Sequence, residues 1–303
     1  MRTLELSLTI VNYLMLPITG MREEFVRKMF IRKPALATLM LAVILVGSCG
    51  LLTPVQAITW GQLDDANLFS NVGAAVIEFQ DGLFLACSGT LINKTVFLTA
   101  AHCTSWFEYL ITEGEVALSD VYVSFDPLHP LNPASLLGVS QIITHPDYKD
   151  FIPTSNPHDV GLLILEEPVA DIVPATLPEE GFLDQLRQEG KLRRGSNVAA
   201  FTVVGYGGTL DWPPPEITYP DTRSYSYSGF QTLLKAWLRL SQNPATGNGG
   251  SCYGDSGGPI FWEADGEQTL VAITSWGDTS CISASFNYRI DLPEILDFIN
   301  ESI

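Results

Sequence analysis

Three short segments carry side chains that together could act on a carbonyl group: TAAHC (Thr99 to Cys103), HDVGLLIL (His158 to Leu165) and CYGDSGGP (Cys252 to Pro259). A serine hydroxyl attacks a carbonyl when a neighbouring base takes its proton. A carboxylate must fix that base in one tautomer and stabilise its charged form. Histidine suits the base because it titrates near neutral pH. The oxyanion that forms needs fixed donors, best supplied by backbone N–H groups, and glycines beside the serine let two amides converge on one point. His102, Asp159, Ser256 and the amides of Gly254 and Ser256 supply these parts in turn. Each is ambiguous alone. CYGDSGGP also has the composition of a surface turn, a histidine beside a cysteine can be structural, and an aspartate ahead of an apolar run can be a turn cap.

The order decides among them. His, Asp, Ser in TAAHC, DVGLLIL and GDSGGP closely resembles the chymotrypsin-like (trypsin-fold) serine proteases, whereas subtilisin-like and α/β-hydrolase enzymes use the same groups in other orders. CSGTLI (Cys87 to Ile92), GYG (Gly205 to Gly207) and SWG (Ser275 to Gly277) fall where that family has them, and the resemblance covers nearly all of residues 58–303. It implies an all-β chain: a double Greek-key β-barrel of the chymotrypsin type. The catalytic cleft would lie between the barrels, with His102 and Asp159 from the first and Ser256 from the second. The implied activity is peptide-bond hydrolysis through an acyl-enzyme on Ser256, with polypeptides as substrates. His102 would be the base, Asp159 its orienting carboxylate with Ser275 as a further donor, and Gly254 and Ser256 the oxyanion hole. The implied disulfides are Cys87–Cys103 and Cys252–Cys281.

Specificity and activation follow from the same comparison. Family members that cut after Lys or Arg have an aspartate six residues before the nucleophile, where this chain has Gly250. A non-tryptic P1 preference, apolar or aromatic, is therefore expected of a pocket built from Gly250, Ser275, Trp276 and Gly277. Asp278 is close enough to draw a basic residue by another route. ITWG at Ile58 resembles the family's processed N-terminus, whose ammonium pairs with the aspartate before the nucleophile, here Asp255. The alternative from a different class is a non-catalytic binding module that keeps the fold. An esterase with the same triad is a third.

These groups need a scaffold. From Gly73 onward the chain reads as short β-branched or aromatic runs, GAAVIEF, LFLACSGTLI, TVFLTAA, VYVSF, GVSQIITH, VGLLILEE, NVAAFTVVGYG, TLVAITSWG and FNYRI, with turn chemistry between them. That spacing predicts an all-β barrel or sandwich. QTLLKAWLRL (Gln231 to Leu240) fits either helix or strand. Asp211 to Gly229 reads as one long ordered surface excursion. DLPEILDFINESI predicts a C-terminal helix with Leu292, Ile295, Leu296, Ile299 and Ile303 on one face, Asp291 as cap and Pro293 in the first turn.

The chain is acidic, with 34 Asp and Glu against 16 Lys and Arg and a formal net charge of -18. That charge repels nucleic-acid backbones and anionic membranes, so neither is an expected partner. Ahead of the β-rich part, basic residues from Arg22 to Lys33 precede an apolar run from Ala35 to Leu52 and a small-residue site ending at Ala57. This reads as a secretory signal, giving residues 1–57 as leader and 58–303 as protease domain. The product would be secreted or periplasmic, and off the membrane once cleaved. An uncleaved membrane anchor and a bacterial-type lipoprotein signal ending at Cys49 are the alternatives for this leader. Taken with it, the resemblance is to a bacterial-type secreted member of the family. Losing Cys49 with the leader leaves four cysteines, an even number suited to two disulfides. With no CxxC or HExxH motif and four histidines, no metal is expected; no cofactor is expected either, and the protein is expected to be a monomer.

Overall fold

The computed structural model describes residues 58–149, 155–195, 200–211 and 216–302. The leader, with Cys49 and the cleavage site after Ala57, lies outside the described residues.

The chain order begins with a short β1 (Gln62–Leu63), followed by β2 (Val72–Phe79), β3 (Gly82–Asn93), β4 (Val96–Thr99), helix α1 (Ala101–Glu113), β5 (Val121–Ser124), β6 (Leu136–Thr144) and β7 (Gly161–Leu165). Strands β2 to β7 close into an antiparallel barrel in the order β2-β3-β4-β7-β6-β5. With β5 returning beside β2, the run β5-β2-β3-β4 is a Greek key. Closure removes every exposed edge. The barrel is filled by residues such as Val76, Leu91, Phe97, Leu98, Val123 and Leu162, all fully buried.

Next come helix α2 (Phe182–Gln188), β8 (Ala200–Gly205), the hairpin β9 (Thr209–Asp211) and β10 (Glu216–Thr218), then β11 (Ser224–Leu233), β12 (Trp237–Ser241), β13 (Pro259–Ala264), β14 (Glu267–Gly277), β15 (Ala284–Arg289) and helix α3 (Pro293–Glu301). Here β8, β11, β12, β15, β14 and β13 close a second antiparallel barrel, with β1 added outside β11. It is again a Greek key, because β13 returns beside β8. The double-barrel expectation is met, as is the C-terminal helix.

Three local readings change. QTLLKAWLRL is a β-hairpin, with Thr232 opposite Arg239 and Leu233 opposite Leu238. The supposed excursion from Asp211 to Gly229 contains β10 and the first half of β11. In β11 the alternation is inverted: Ser224, Ser226 and Ser228 are buried while Tyr227 is exposed. The reason is a close backbone approach, since a Cβ on Gly249 would meet Thr59 O at 2.5 Å and Ser226 Cβ at 2.9 Å. Only small side chains fit beneath that crossing. Finally, Asp291 does not cap α3, whose N-cap is Leu292. Its buried carboxylate instead accepts from the Leu183 amide at the start of α2 and from Arg289.

A buried arginine joins the two barrels. Arg223, fully buried, donates to Asp64 at 2.8 Å and, from the second barrel's side, to the carbonyls of Val72 (2.8 Å) and Phe125 (3.2 Å) at the first. Asn67 Oδ1 and the Tyr206 hydroxyl complete its partners. A buried charge is tolerable when its hydrogen bonds are met this fully.

Candidate active site

His102 is the second residue of α1, directly after β4, so a barrel strand and a helix fix its backbone. The first amides of a helix lack partners within it. One of these, the His102 N–H, donates to Asp159 Oδ1 at 2.9 Å. The same carboxylate holds the ring: His102 Nδ1 lies 3.0 Å from Oδ2 and 3.2 Å from Oδ1. Asp159 itself sits just ahead of β7, which pairs with β4 through Thr99 and Gly161. The strand pairing thus sets the histidine–aspartate distance.

A third group reaches Asp159 from the second barrel. Ser275 Oγ donates to Asp159 Oδ2 at 2.5 Å. Ser275 is the extra residue of a β-bulge in β14, where the register with β15 shifts between Thr274 and Trp276. Bulges re-aim side chains, and this one turns a hydroxyl across the interface between barrels. Burial would push the Asp159 carboxyl up, but the charge of His102 and the hydrogen bonds from His102 and Ser275 outweigh it and hold the group below the usual carboxylate range.

Ser256 stands on a loop packed against the first barrel. Its carbonyl accepts from the Ser88 amide at 2.9 Å and lies 3.9 Å from Cys103 Sγ, beside His102. The glycines on either side are there for conformation. Gly254 (φ +93°) and Gly257 (φ +78°) occupy backbone that other residues rarely adopt. A Cβ on Gly257 would stand 2.0 Å from Thr99 Oγ1. Between them Asp255 is fully buried. Its carboxylate accepts from the Gly207 amide (2.8 Å) and the Cys252 amide (2.7 Å), which pins the loop. Burial pushes this group up to about 7, and the two amides only partly pull it back. Ile58 is buried in the second barrel's core, and Thr59 pairs in both directions with Gly250 at 3.0 Å.

Both disulfides form, Cys87–Cys103 beside His102 and Cys252–Cys281 beside the nucleophile loop. The second one helps wall a pocket that opens next to Ser256 and is lined by Ser251, Thr274, Trp276, Gly277 and Asp278. Ser275, Trp276 and Gly277 are all among its lining residues, and Ser285 pairs with Gly277 across β14 and β15. Gly250 does not reach this pocket. The side chain of Gln242 covers it, so close that a Cβ on Gly250 would stand 2.4 Å from Gln242 Cγ. Sequence reasoning missed Gln242. It lies eight residues upstream, outside any motif, and only the fold brings it there. Asp278, considered as a lure for basic residues, accepts from the Ser283 and Ala284 amides at 2.7 and 3.0 Å and so braces its own loop.

On the other side of Gly254 lies an apolar groove lined by Phe84, Leu85, Leu131, Tyr219 and Tyr253. Tyr219 brings the β10–β11 connection, part of the expected excursion, to the rim of the site.

Comparison with known proteins agrees with this architecture. Residues 73–299 match the Trypsin family model. The chain is similar to CLIP domain-containing serine protease B15 of Anopheles gambiae (28% identical over 71% of this chain and 59% of that protein). It is also similar to serine proteinase stubble of Drosophila melanogaster (28% over 63% and 24%) and to phenoloxidase-activating enzyme of Bombyx mori (27% over 78% and 57%). It therefore spans less than two thirds of the length of each. All three are insect proteins, so they lend nothing to the bacterial-type assignment drawn from the leader. On the family match and the double barrel, this chain belongs to the trypsin family of serine proteases.

Proposed function

We propose that the protein is an endopeptidase that cleaves polypeptides through an acyl-enzyme on Ser256. The observation that carries this reading is the pair of contacts from one buried carboxylate, Asp159, to the ring and the backbone of His102. A base so held keeps its Nδ1 proton toward Asp159 and leaves Nε2 to take the serine proton. Ser275 adds a donor that helps keep the carboxylate ionised. The oxyanion would be met by the amides of Gly254 and Ser256, oriented by a loop that Asp255 fixes. His102 would then return its proton to the leaving amine and activate the water that frees the acyl group.

A pocket with no acid at position 250, whose one charged lining residue, Asp278, is held by the amides of its own loop, supports a non-tryptic P1 residue. An apolar or aromatic side chain fits its Trp276 and disulfide walls. Residues 1–57 would be an export leader whose removal gives Ile58 a free ammonium to pair with Asp255. An isolated buried carboxylate is costly, and no charged side chain offsets its burial among the described residues. No helix among the described residues is long and apolar enough to cross a membrane.

Mass spectrometry of peptides released from a denatured protein mixture tests this, with a Ser256→Ala control. Cleavage that disappears in the control is expected. Absence of cleavage by the correctly processed, disulfide-bonded protein would favour the binding-module alternative.

A further inference from the structure

Gln242 follows β12 directly and is fully buried. Its position explains the residue at 250, because Gln242 rests where any side chain on Gly250 would have to go. The orientation of its carboxamide follows from its neighbours. Nε2 donates to the carbonyl of Ser251 at 2.6 Å and to that of Cys281 at 3.3 Å. Both partners can only accept, so the nitrogen must face them and the oxygen must face away. That oxygen, Oε1, accepts no hydrogen bond from any described residue. It lies 3.4 Å from the point a Cβ on Gly277 would occupy. Ser251, Gly277 and Cys281 all line the pocket beside Ser256.

A second polar atom is in the same condition. Thr274 Oγ1 is buried without a partner; Thr274 lines the pocket, whereas Gln242 stands directly behind that lining. Buried polar atoms are nearly always paired in native proteins. Two left unpaired behind the lining of one pocket, an obligate acceptor and a hydroxyl, are complementary to a ligand that reaches them and can both donate and accept.

We infer that Gln242 reads the P1 residue, and that the preferred P1 side chain ends in an uncharged hydrogen-bond donor, best a carboxamide. This rests on the peptidase reading above and replaces its apolar or aromatic P1 preference with an uncharged polar one. A P1 carboxylate would face an acceptor. At the floor of the pocket a P1 ammonium or guanidinium would meet the neutral Gln242 oxygen with no carboxylate at position 250, while the Asp278 carboxylate on the pocket wall is turned to the amides of its own loop. A purely apolar tip would seal Oε1 off unpaired, and sites with a polar group built for the substrate discriminate against analogues that leave it so. A P1 glutamine can donate to Oε1 and accept from the Thr274 hydroxyl.

The test uses the purified, processed protein and peptide pairs that differ only at P1: Gln against Met, and Tyr against Phe, with Lys as the charged reference. Active sites are counted with a fluorophosphonate so that rates refer to competent enzyme. The wild type is expected to favour Gln over Met by about 30-fold in kcat/KM, the size of one unpaired buried acceptor, and Gln242→Met is expected to bring that ratio within about 3-fold. Because Gln242→Met also removes the donor to Ser251 and Cys281, a crystal structure of the wild type with a P1-Gln peptide aldehyde provides a second reading. The carboxamide nitrogen should lie within hydrogen-bond distance of Oε1. Equal rates on Gln and Met, a preference that survives in Gln242→Met, or an aldehyde whose nitrogen points elsewhere would overturn the assignment while leaving the peptidase standing. A wild type that is neither labelled nor able to cleave any protein would remove the peptidase reading itself, and this one with it.

Discussion

Asp159 grips His102 at two points, the ring Nδ1 at 3.0 Å and the main-chain N–H at 2.9 Å. One carboxylate thereby satisfies an orphan amide at the start of α1 and fixes the imidazole that projects from it. Helix placement and base orientation are a single structural fact. The Ser275 hydroxyl, carried in on a bulge, binds the same carboxylate from the other barrel.

Asp159→Asn keeps the shape and removes the charge. The asparagine can offer His102 Nδ1 a donor, which favours the wrong tautomer. Its kcat should fall by about four orders of magnitude with little change in KM. Ser275→Ala removes one donor only, and a loss of about 10-fold is expected from a single hydrogen bond to a charged group. Steady-state kinetics on a peptide amide would check both.

The nucleophile loop should not tolerate a side chain at Gly257. Its φ of +78° and the 2.0 Å approach of a Cβ to Thr99 Oγ1 leave no room. Gly257→Ala should lower stability by about 3 kcal/mol or more, since strain and overpacking act together. Chemical denaturation of the disulfide-bonded protein would measure it. A variant as stable as the wild type would show that the loop is looser than drawn.

Placing an aspartate at position 250 should fail to create a tryptic enzyme. The new side chain would collide with Gln242 Cγ, 2.4 Å from its Cβ. Gly250→Asp alone is expected to lose stability without gaining cleavage after Lys or Arg. Combined with Gln242→Gly, which clears the seat, it should acquire that cleavage. Hydrolysis of matched Arg and Gln peptides would separate the two variants.

His102, Asp159 and Ser256 stand out because each lies in a short segment with a local signature, which at Ser256 includes the glycines at positive φ, Gly254 and Gly257. Helix α1 is hard to see in the sequence although it carries helix signals: Ala101, Thr104, Phe107 and Leu110 are buried, and Gly114 closes it in the left-handed conformation. The apolar strand running straight into TAAHC hid its start. In β11 the inward residues are serines, so alternation pointed the wrong way until the crossing at Gly249 was visible. Gln242 carries no local mark at all. Its role arises only where β12, the Gly250 segment and the Cys281 loop meet.

Asp255 gives a pH dependence tied to the N-terminus. In a chain still extended before Ile58, its carboxyl is pushed up to about 7 against an unfolded value near 3.8. A raised folded value means that protonation favours the fold. That contribution is complete below about pH 4 and is lost as pH rises to about 7, on the order of 4 kcal/mol. A chain beginning at Ile58 would hold the carboxylate ionised against its ammonium and should lack this decline. Denaturant titrations of the two forms at pH 4.5 and 7.5 would compare them, and parallel behaviour would count against the Ile58–Asp255 pairing.

The most direct test of the central claim is peptide mapping after reaction with a fluorophosphonate. The account predicts one adduct, on Ser256, that is abolished by His102→Ala and strongly slowed by Asp159→Asn. A processed protein with both disulfides formed that remains unlabelled, or that carries the label on another serine, would contradict it.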